Sequence, residues 1–328
     1  MTIYQPGLQD AHGRRFTYLR LSVTEACNFR CNYCLPNGYQ KTSETADLSL
    51  PEIASVASAF AACGTRKVRV TGGEPSLRKD LPAILETLAS TDGIEQIALT
   101  TNGYRLEHQL DDWISAGLSR LNLSIDSLDS SRFAEITGHD KLGSLLRGLE
   151  RALVLGLKVK VNAVLLRGFN YAELARFLDW VKHTPISLRF IELMQTGDNR
   201  TFFSEHHVNG QEIALRLADM GWSEQQRSIH DGPAREFAHP DYQGRVGLIM
   251  PYSSDFCASC NRLRVSSSGR LHLCLFGTQG HDLRPLLQPD RQSELIDELH
   301  RLLELKEPTH YLQQGHTGAT RHFAMLGG

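Results

Sequence analysis

The sequence predicts an α/β protein built on a parallel sheet, in the form of an open (β/α)6 barrel followed by a smaller α+β region. Three observations carry this. Between Thr17 and about Leu193, six short apolar runs alternate with five helix-like stretches, and such alternation requires crossover connections and parallel pairing. Three cysteines, Cys27, Cys31 and Cys34, sit on the loop leaving the first run, at the strand end where α/β folds place their chemistry. After about residue 195 the texture changes to a polar linker, short strands and a second cysteine group. A doubly wound sheet shares the alternation and is the alternative architecture.

The elements follow in order. Residues 1–16 read as an irregular polar arm. Strands are expected at Arg20–Thr24, Lys67–Thr71, Gln96–Thr101, Arg120–Ile125, Lys158–Leu165 and Ser187–Leu193. Between them, helices are expected at Pro51–Ala62, Asp80–Ser90, Glu107–Ala116, Leu142–Leu155 and Tyr171–His183. Pro51 suits a first helical turn, and Gly117 and Gly156 suit helix stops. Polar Gln195–Arg200 reads as a linker and Glu212–Met220 as a helix. Short strands follow at Arg245–Pro251, Asn261–Ser266 and Arg270–Phe276, the last two joined by a hairpin turn at Ser267-Ser268-Gly269. Ser293–Leu305 is an amphipathic helix with Leu295, Ile296, Leu299, Leu302 and Leu303 on one face. Gln313–Gly328 is glycine-rich and is expected as an unpacked tail. The expected organisation is therefore 1–195 with its arm, 196–312, and a flexible tail 313–328.

Bulk properties narrow the function. The chain has 328 residues, 41% of them hydrophobic, enough for a substantial core. A formal net charge of −2 gives no basic field for nucleic acid. No apolar run is long enough to span a membrane, and Met1–Pro6 lacks a signal-peptide core. Seven cysteines in such a chain point to a reducing cytoplasm and to metal binding rather than disulfides. Six fall into two tight groups; Cys63 stands alone on a helix and reads as core, and His206-His207 reads as surface.

Cys27-x3-Cys31-x2-Cys34 offers three soft ligands within eight residues. Thiolates suit zinc and iron–sulfur clusters. Three thiolates leave one iron of a cubane open to a chelating ligand, whereas a zinc site would need a fourth ligand from elsewhere. Thr71-Gly72-Gly73-Glu74-Pro75 ends the second strand; its glycines admit close backbone approach, and Glu74 can accept from an ammonium, though a plain strand-to-helix turn has the same composition. The second group, Cys257-x2-Cys260-x13-Cys274, straddles the hairpin, so Cys274 can fold back beside Cys260. A zinc site completed by His272, two residues from Cys274 on the same strand face, is the competing reading. Cys260 is followed by Asn261-Arg262-Leu263-Arg264. The two arginines share a strand face, and guanidinium forks match phosphate oxygens. A solvated basic face is the plainer alternative.

The first cysteine group, with Tyr33 before its last thiol, resembles the radical S-adenosylmethionine (radical SAM) enzymes. That resemblance implies a [4Fe–4S] cluster on Cys27, Cys31 and Cys34, its open iron chelated by S-adenosylmethionine, and a reductively formed 5′-deoxyadenosyl radical. Gly73 and Glu74 match the positions near the methionyl amino group, Ser124 the position near its carboxylate, and Tyr33 and Met194 positions near the cofactor. The stretch Cys257–Arg264, Cys274-Leu275-Phe276 and the terminal Gly327-Gly328 extend the resemblance, from about Phe16 to Gly328, to the GTP 3′,8-cyclase family, which opens molybdenum cofactor biosynthesis. This implies a partial barrel closed by the C-terminal region. It also implies a second [4Fe–4S] cluster on Cys257, Cys260 and Cys274 and a Gly-Gly end reaching the active site. By position, the GTP contacts would be Arg20, Arg69, Thr100, Lys160, Arg189 and Arg262–Leu263–Arg264. Arg20 and Arg69 alternate with apolar neighbours and would point into a barrel, where a charge is costly unless an anionic substrate pairs it. Thr24-Glu25-Ala26 before Cys27 lacks the positive charge usual in the family.

The expected reaction is conversion of GTP to 3′,8-cyclo-7,8-dihydro-GTP after loss of H3′. The expected partners are GTP, S-adenosylmethionine and an electron donor such as flavodoxin or ferredoxin. The chain is expected as a cytoplasmic monomer or homodimer with no nucleic-acid or membrane partner. Two other readings compete: a radical SAM enzyme that modifies a peptide and carries one auxiliary cluster, and a non-catalytic zinc module that binds nucleic acid through Arg262 and Arg264. The near-neutral charge and the long βα region weigh against the zinc module.

Overall fold

The computed structural model describes residues 7–41, 45–226 and 232–327. The first half runs β1 (Tyr18–Ser22), α1 (Leu50–Ala62), β2 (Lys67–Thr71), α2 (Leu81–Ala89), β3 (Gln96–Thr101), α3 (Leu106–Ser115) and β4 (Arg120–Ser124). Next come α4 (Ser130–Thr137), α5 (Leu142–Val154), β5 (Lys158–Leu165), α6 (Leu174–His183) and β6 (Ser187–Glu192). The remainder is α7 (Arg200–His206), α8 (Gly210–Asp219), β7 (Ser223–Glu224), β8 (Arg235–Ala238), β9 (Arg245–Ile249), β10 (Arg262–Val265), β11 (Arg270–His272), β12 (His281–Asp282) and α9 (Gln292–Leu303).

All these strands join one sheet, in the order β12-β11-β10-β1-β2-β3-β4-β5-β6-β9-β8-β7. The six expected strands are consecutive and parallel. Their order never reverses, which removes the doubly wound alternative, since that architecture needs a switch point. β10 and β9 extend the parallel run at its two ends. Antiparallel β11–β12 and β8–β7 continue outward from there, so among the described residues hydrogen bonds do not close the barrel.

Side chains alternate across each strand and divide the sheet into two faces. Leu19, Leu21, Val68, Val70, Leu121, Leu123, Val161 and Leu188 enter the core packed against the helices. Their neighbours Arg20, Arg69, Asn122, Lys160 and Arg189 take the inner face. Local signals set the helix ends. The Ser49 amide donates to the Glu52 carboxylate at 2.8 Å at the start of α1, which closes half of a capping box. Gly117 and Gly156 follow α3 and α5 with φ of 99° and 76°, as stop residues do.

Several expectations shift. β1 starts two residues earlier than expected because Tyr18 pairs in register with Lys67 and Arg262. α4 and α7 were not expected; α4 is capped by Asp129, whose side chain accepts from the Ser131 and Arg132 amides. β11 ends at His272 rather than running on to Phe276, so His272 and Cys274 do not share a strand face. Of the stretch expected as an unpacked tail, 313–319 is mostly exposed but 320–327 packs: Phe323 and Leu326 form an apolar cluster with Leu275, Phe276 and Leu312. Phe323 and Leu326 fall in a single four-residue apolar run after a polar stretch, too short to give a periodic signal, yet burying them is worth about 1.5–3 kcal/mol each. Cys63 is buried in the core as expected.

Candidate active site

The first cysteine loop leaves β1 and is held against the Gly72-Gly73 turn that leaves β2. The Gly73 amide donates to the Thr24 carbonyl and the Glu74 amide to the Ala26 carbonyl, both at 2.8 Å. The approach is close enough that a Cβ on Gly73 would stand 2.3 Å from the Ala26 oxygen, so glycine is required there for backbone-to-backbone contact. The far side of the loop is tied to α4: the Arg30 amide donates to the Thr137 carbonyl at 2.9 Å. Cys27, Cys31 and Cys34 then line one cavity together with Gly73, Ser124 and Met194.

Burial pushes the Cys27 thiol up to about 12 and the Cys34 thiol up to about 11, and holds Cys31 well above its usual value. Three clustered thiolates would therefore be costly in this pocket without a cationic centre. Iron provides one, because coordinated thiols are deprotonated. The donor set thus fits a cluster. Asp126, which the sequence reading missed, is buried and accepts from the Tyr33 hydroxyl at 2.9 Å and the Val164 amide at 2.8 Å. Burial raises its carboxyl to about 6.

The second cavity adjoins the first, and Asn162, Ile191 and Met194 line both. Its wall carries Cys257, Cys260 and Cys274. It also carries seven cations, Arg20, Lys67, Arg69, Lys160, Arg189, Arg262 and Arg264, and no carboxylate among the described residues. Register explains the gathering: Arg20 pairs with Arg69 on one side and Arg264 on the other, and Tyr18 with Lys67 and Arg262. Glu236 answers one of these charges, accepting from Arg189 at 2.7 Å. The Nε groups of Arg20, Arg69, Arg189, Arg262 and Arg264 are buried without a hydrogen-bond partner. Orphaned buried donors are costly, and a polyanion with many acceptor oxygens satisfies them.

The crowding moves acid–base equilibria. Burial, and then Arg189, brings Lys160 down to about 7. Burial alone would raise the Tyr18 phenol; Arg69, Arg20, Lys67 and Arg262 outweigh it and bring it to about 7. Cys260 also falls to about 7, because Arg262 and Lys306 overcome its burial. The second thiol group therefore sits in a positive field that the first lacks.

The expected site residues sort as follows. Cys27, Cys31, Cys34, Tyr33, Gly73, Ser124 and Met194 line the first cavity. Arg20, Arg69, Lys160, Arg189, Arg262 and Arg264 line the second with the other three cysteines. Glu74, expected to accept from an ammonium, does not line the cavity: its buried carboxylate accepts from the Ser76 amide at 2.9 Å, the Thr101 hydroxyl at 2.7 Å and the Asn102 amide at 2.7 Å. It positions the turn instead. Thr100, expected at the substrate, lines the first cavity. Leu263 lies between two inward arginines and so faces the core, 1% exposed. Gly327 reaches a residue that lines the second cavity: its carbonyl accepts from Arg20 at 3.2 Å; Gly328 lies outside the described residues. The His272 ring, expected as a fourth ligand in the zinc reading, abuts Gly280. His207, expected at the surface, bonds the buried Glu192 at 2.8 Å. Lys67 and Tyr18 were missed, although each stands two residues before an arginine that the same alternation identified.

Residues 21–181 match the Radical SAM superfamily, and residues 186–312 match the family described as Molybdenum Cofactor Synthesis C. A GTP 3′,8-cyclase of Aeromonas hydrophila is 56% identical over 333 residues, spanning 99% of this chain and 97% of that protein. One of Tolumonas auensis is 56% identical over 323 residues, spanning 98% and 96%. The crystal structure of Streptococcus suis SuiB bound to S-adenosylmethionine superposes with a TM-score of 0.63 at 12% identity, over 88% of this chain and 68% of that one. That likeness is one of fold.

Proposed function

The chain belongs to the GTP 3′,8-cyclase family of radical SAM enzymes, and we propose how its own residues carry that family's reaction. The enzyme converts GTP to 3′,8-cyclo-7,8-dihydro-GTP, the first step of molybdenum cofactor biosynthesis, with two [4Fe–4S] clusters and S-adenosylmethionine. When bound, the reduced cluster and S-adenosylmethionine supply the 5′-deoxyadenosyl radical that removes H3′.

The protein's part is placement. Cys27, Cys31 and Cys34 hold one cluster, with Tyr33, Gly73, Ser124 and Met194 around S-adenosylmethionine. Cys257, Cys260 and Cys274 hold the other at the guanine end. Arg20, Lys67, Arg69, Lys160, Arg189, Arg262 and Arg264 take up the triphosphate and ribose, each well-made charged contact contributing about 1.5–3 kcal/mol. Holding C3′ and C8 of one nucleotide in a fixed fold makes bond formation between them intramolecular, a proximity effect. The packed C-terminal segment limits water at the radical. Residues 1–195 thus hold the cofactor and five of the seven substrate cations, 196–312 hold the second cluster and the other two, and 313–327 close the chamber.

The observation that carries this reading is the pair of adjoining cavities, each walled by a thiol trio, one of them lined by seven cations with no lining carboxylate among the described residues. The test is anaerobic reconstitution with S-adenosylmethionine and GTP. Wild-type protein should yield 5′-deoxyadenosine and a cyclised guanosine triphosphate by mass spectrometry. Arg264→Ala should keep its iron and lose GTP turnover; full activity in that variant would count against the assignment.

The reaction needs a one-electron reductant, and we read the donor as a small low-potential carrier, a flavodoxin or ferredoxin. Among the described residues no helix is long and apolar enough to cross a membrane, which fits a cytoplasmic enzyme, monomeric or homodimeric. Sedimentation of the reconstituted protein distinguishes the two states.

A further inference from the structure

We propose that Lys306 is the permanent positive charge behind the second thiol group, and that it both positions the turn carrying Cys274 and raises the reduction potential of the cluster held there. The proposal rests on the reading above, in which Cys257, Cys260 and Cys274 hold iron.

Lys306 follows α9 and is 5% exposed. Its ammonium donates to the carbonyl of Leu273, the residue before Cys274. It also lies 5.2 Å from the centre of the Phe16 ring, over the ring face, an arrangement that favours a cation. Among the described residues no carboxylate pairs with it; burial, with Arg14 and Arg264, holds its pKa below the usual lysine value, and the groups acting the other way are Cys260 and Cys274. A buried ammonium without a counter-anion is strongly disfavoured. Three thiolates bound to a cubane provide the missing negative charge, so the lysine and the cluster explain one another.

The segment around it serves the same sulfurs. The Thr309 hydroxyl donates to the Cys257 sulfur at 3.7 Å. Arg14 braces the segment, donating to the carbonyls of Glu307 at 2.6 Å, Pro308 at 2.8 Å and Cys257 at 3.2 Å. Its own charge is met by Asp10 at 2.6 Å. Arg14 is therefore a locally neutral brace, and Lys306 is the uncompensated charge.

The arginines on the inner side differ in kind. Arg262 and Arg264 line the substrate cavity and Lys306 does not. A bound triphosphate cancels the field of the arginines and leaves that of the lysine. Lys306 thus acts on the cluster throughout turnover. A nearby positive charge favours the more negative, reduced state, so it raises the potential.

The test is a redox titration of the anaerobically reconstituted full-length protein, followed by electron paramagnetic resonance with iron counted in parallel. The signal perturbed by GTP reports the second site, and the signal perturbed by S-adenosylmethionine reports the first. Lys306→Met should move the second site to a more negative potential and leave the first in place, and Lys306→Arg should restore it. Thr309→Val, which removes only the bond to sulfur, should shift the second site in the same direction by less. If Lys306→Met fails to hold the second cluster, Lys306→Arg decides: with the charge kept, a second-site potential well below that of the wild type overturns the proposal. An unmoved second-site potential, or equal shifts at both sites, overturns the proposal. Iron at the first trio alone in the wild type overturns the reading beneath it, and this proposal with it.

Discussion

Arg20 donates through Nη1 to the carbonyl oxygen of Gly327 at 3.2 Å, joining residues 307 positions apart. Arg20 pairs in register with both Arg69 and Arg264, so Gly327 meets the cations of the second cavity at their centre. The end segment supplies an acceptor where acceptors are scarce.

Gly327 has φ of 64°, and a Cβ there would stand 2.2 Å from the Thr71 hydroxyl. Left-handed backbone costs other residues about 1–2 kcal/mol, and the clash adds to that. Gly327→Ala should displace the end of the chain and lower turnover by roughly tenfold or more, with the iron content of both sites unchanged. Deleting Gly327 and Gly328 should abolish product formation. Normal product from the deleted protein would refute this role.

GTP affinity should fall as pH rises through about 7. In the empty site Lys160 becomes neutral and Tyr18 becomes anionic near that pH, so the cavity loses two units of positive charge. A triphosphate favours the protonated forms and its binding takes up protons. Between pH 6 and 8.5 the Kd should rise on the order of tenfold, the equivalent of one weakened charged contact. Lys160→Arg should flatten the dependence. Equal Kd values at both ends of the range would count against it. The stability contribution runs the other way. Lys160 is lowered from 10.5 to about 7, so between these values the unfolded chain binds more protons and stability rises with pH.

Gly73→Ala should damage the first metal site while sparing the second. The added methyl would lie 2.3 Å from the Ala26 carbonyl and 2.5 Å from that of Glu25, pushing away the loop that carries Cys27. Iron content should drop by about one cluster's share, with the circular dichroism spectrum retained. Full iron loading would show that the loop accommodates the methyl.

Glu74→Gln should destabilise the fold by about 1–3 kcal/mol, because a carboxamide turns an amino group toward donors that the carboxylate accepted from. The donors are the Ser76 and Asn102 amides and the Thr101 hydroxyl. Urea denaturation measures the loss. A variant of wild-type stability that binds S-adenosylmethionine poorly would return Glu74 to direct ligand contact.

Much of the fold was legible because each strand of the parallel run was written in its own few residues. The alternation in Tyr18-Leu19-Arg20-Leu21 and Lys67-Val68-Arg69-Val70 states which side chains share a face. The spacing of Cys27, Cys31 and Cys34 states that three soft ligands meet on one loop. β9 lay within an expected strand, but its place beside β6 gave no signal, because pairing partners lie far apart in sequence.

The sequence by itself determined the parallel sheet, the two thiol groups and the inward set of each strand, since these follow from periods of two and from contacts within a few residues. Only the tertiary arrangement decided that seven cations share a cavity without a lining carboxylate among the described residues, that Glu74 is taken up by Ser76, Thr101 and Asn102, that Lys306 reaches the Leu273 carbonyl beside Cys274 and that residues 320–327 pack. The physical reason is range. Periodicity records the direction of a side chain relative to its own backbone, whereas charge balance and burial depend on which distant segments the fold brings against it.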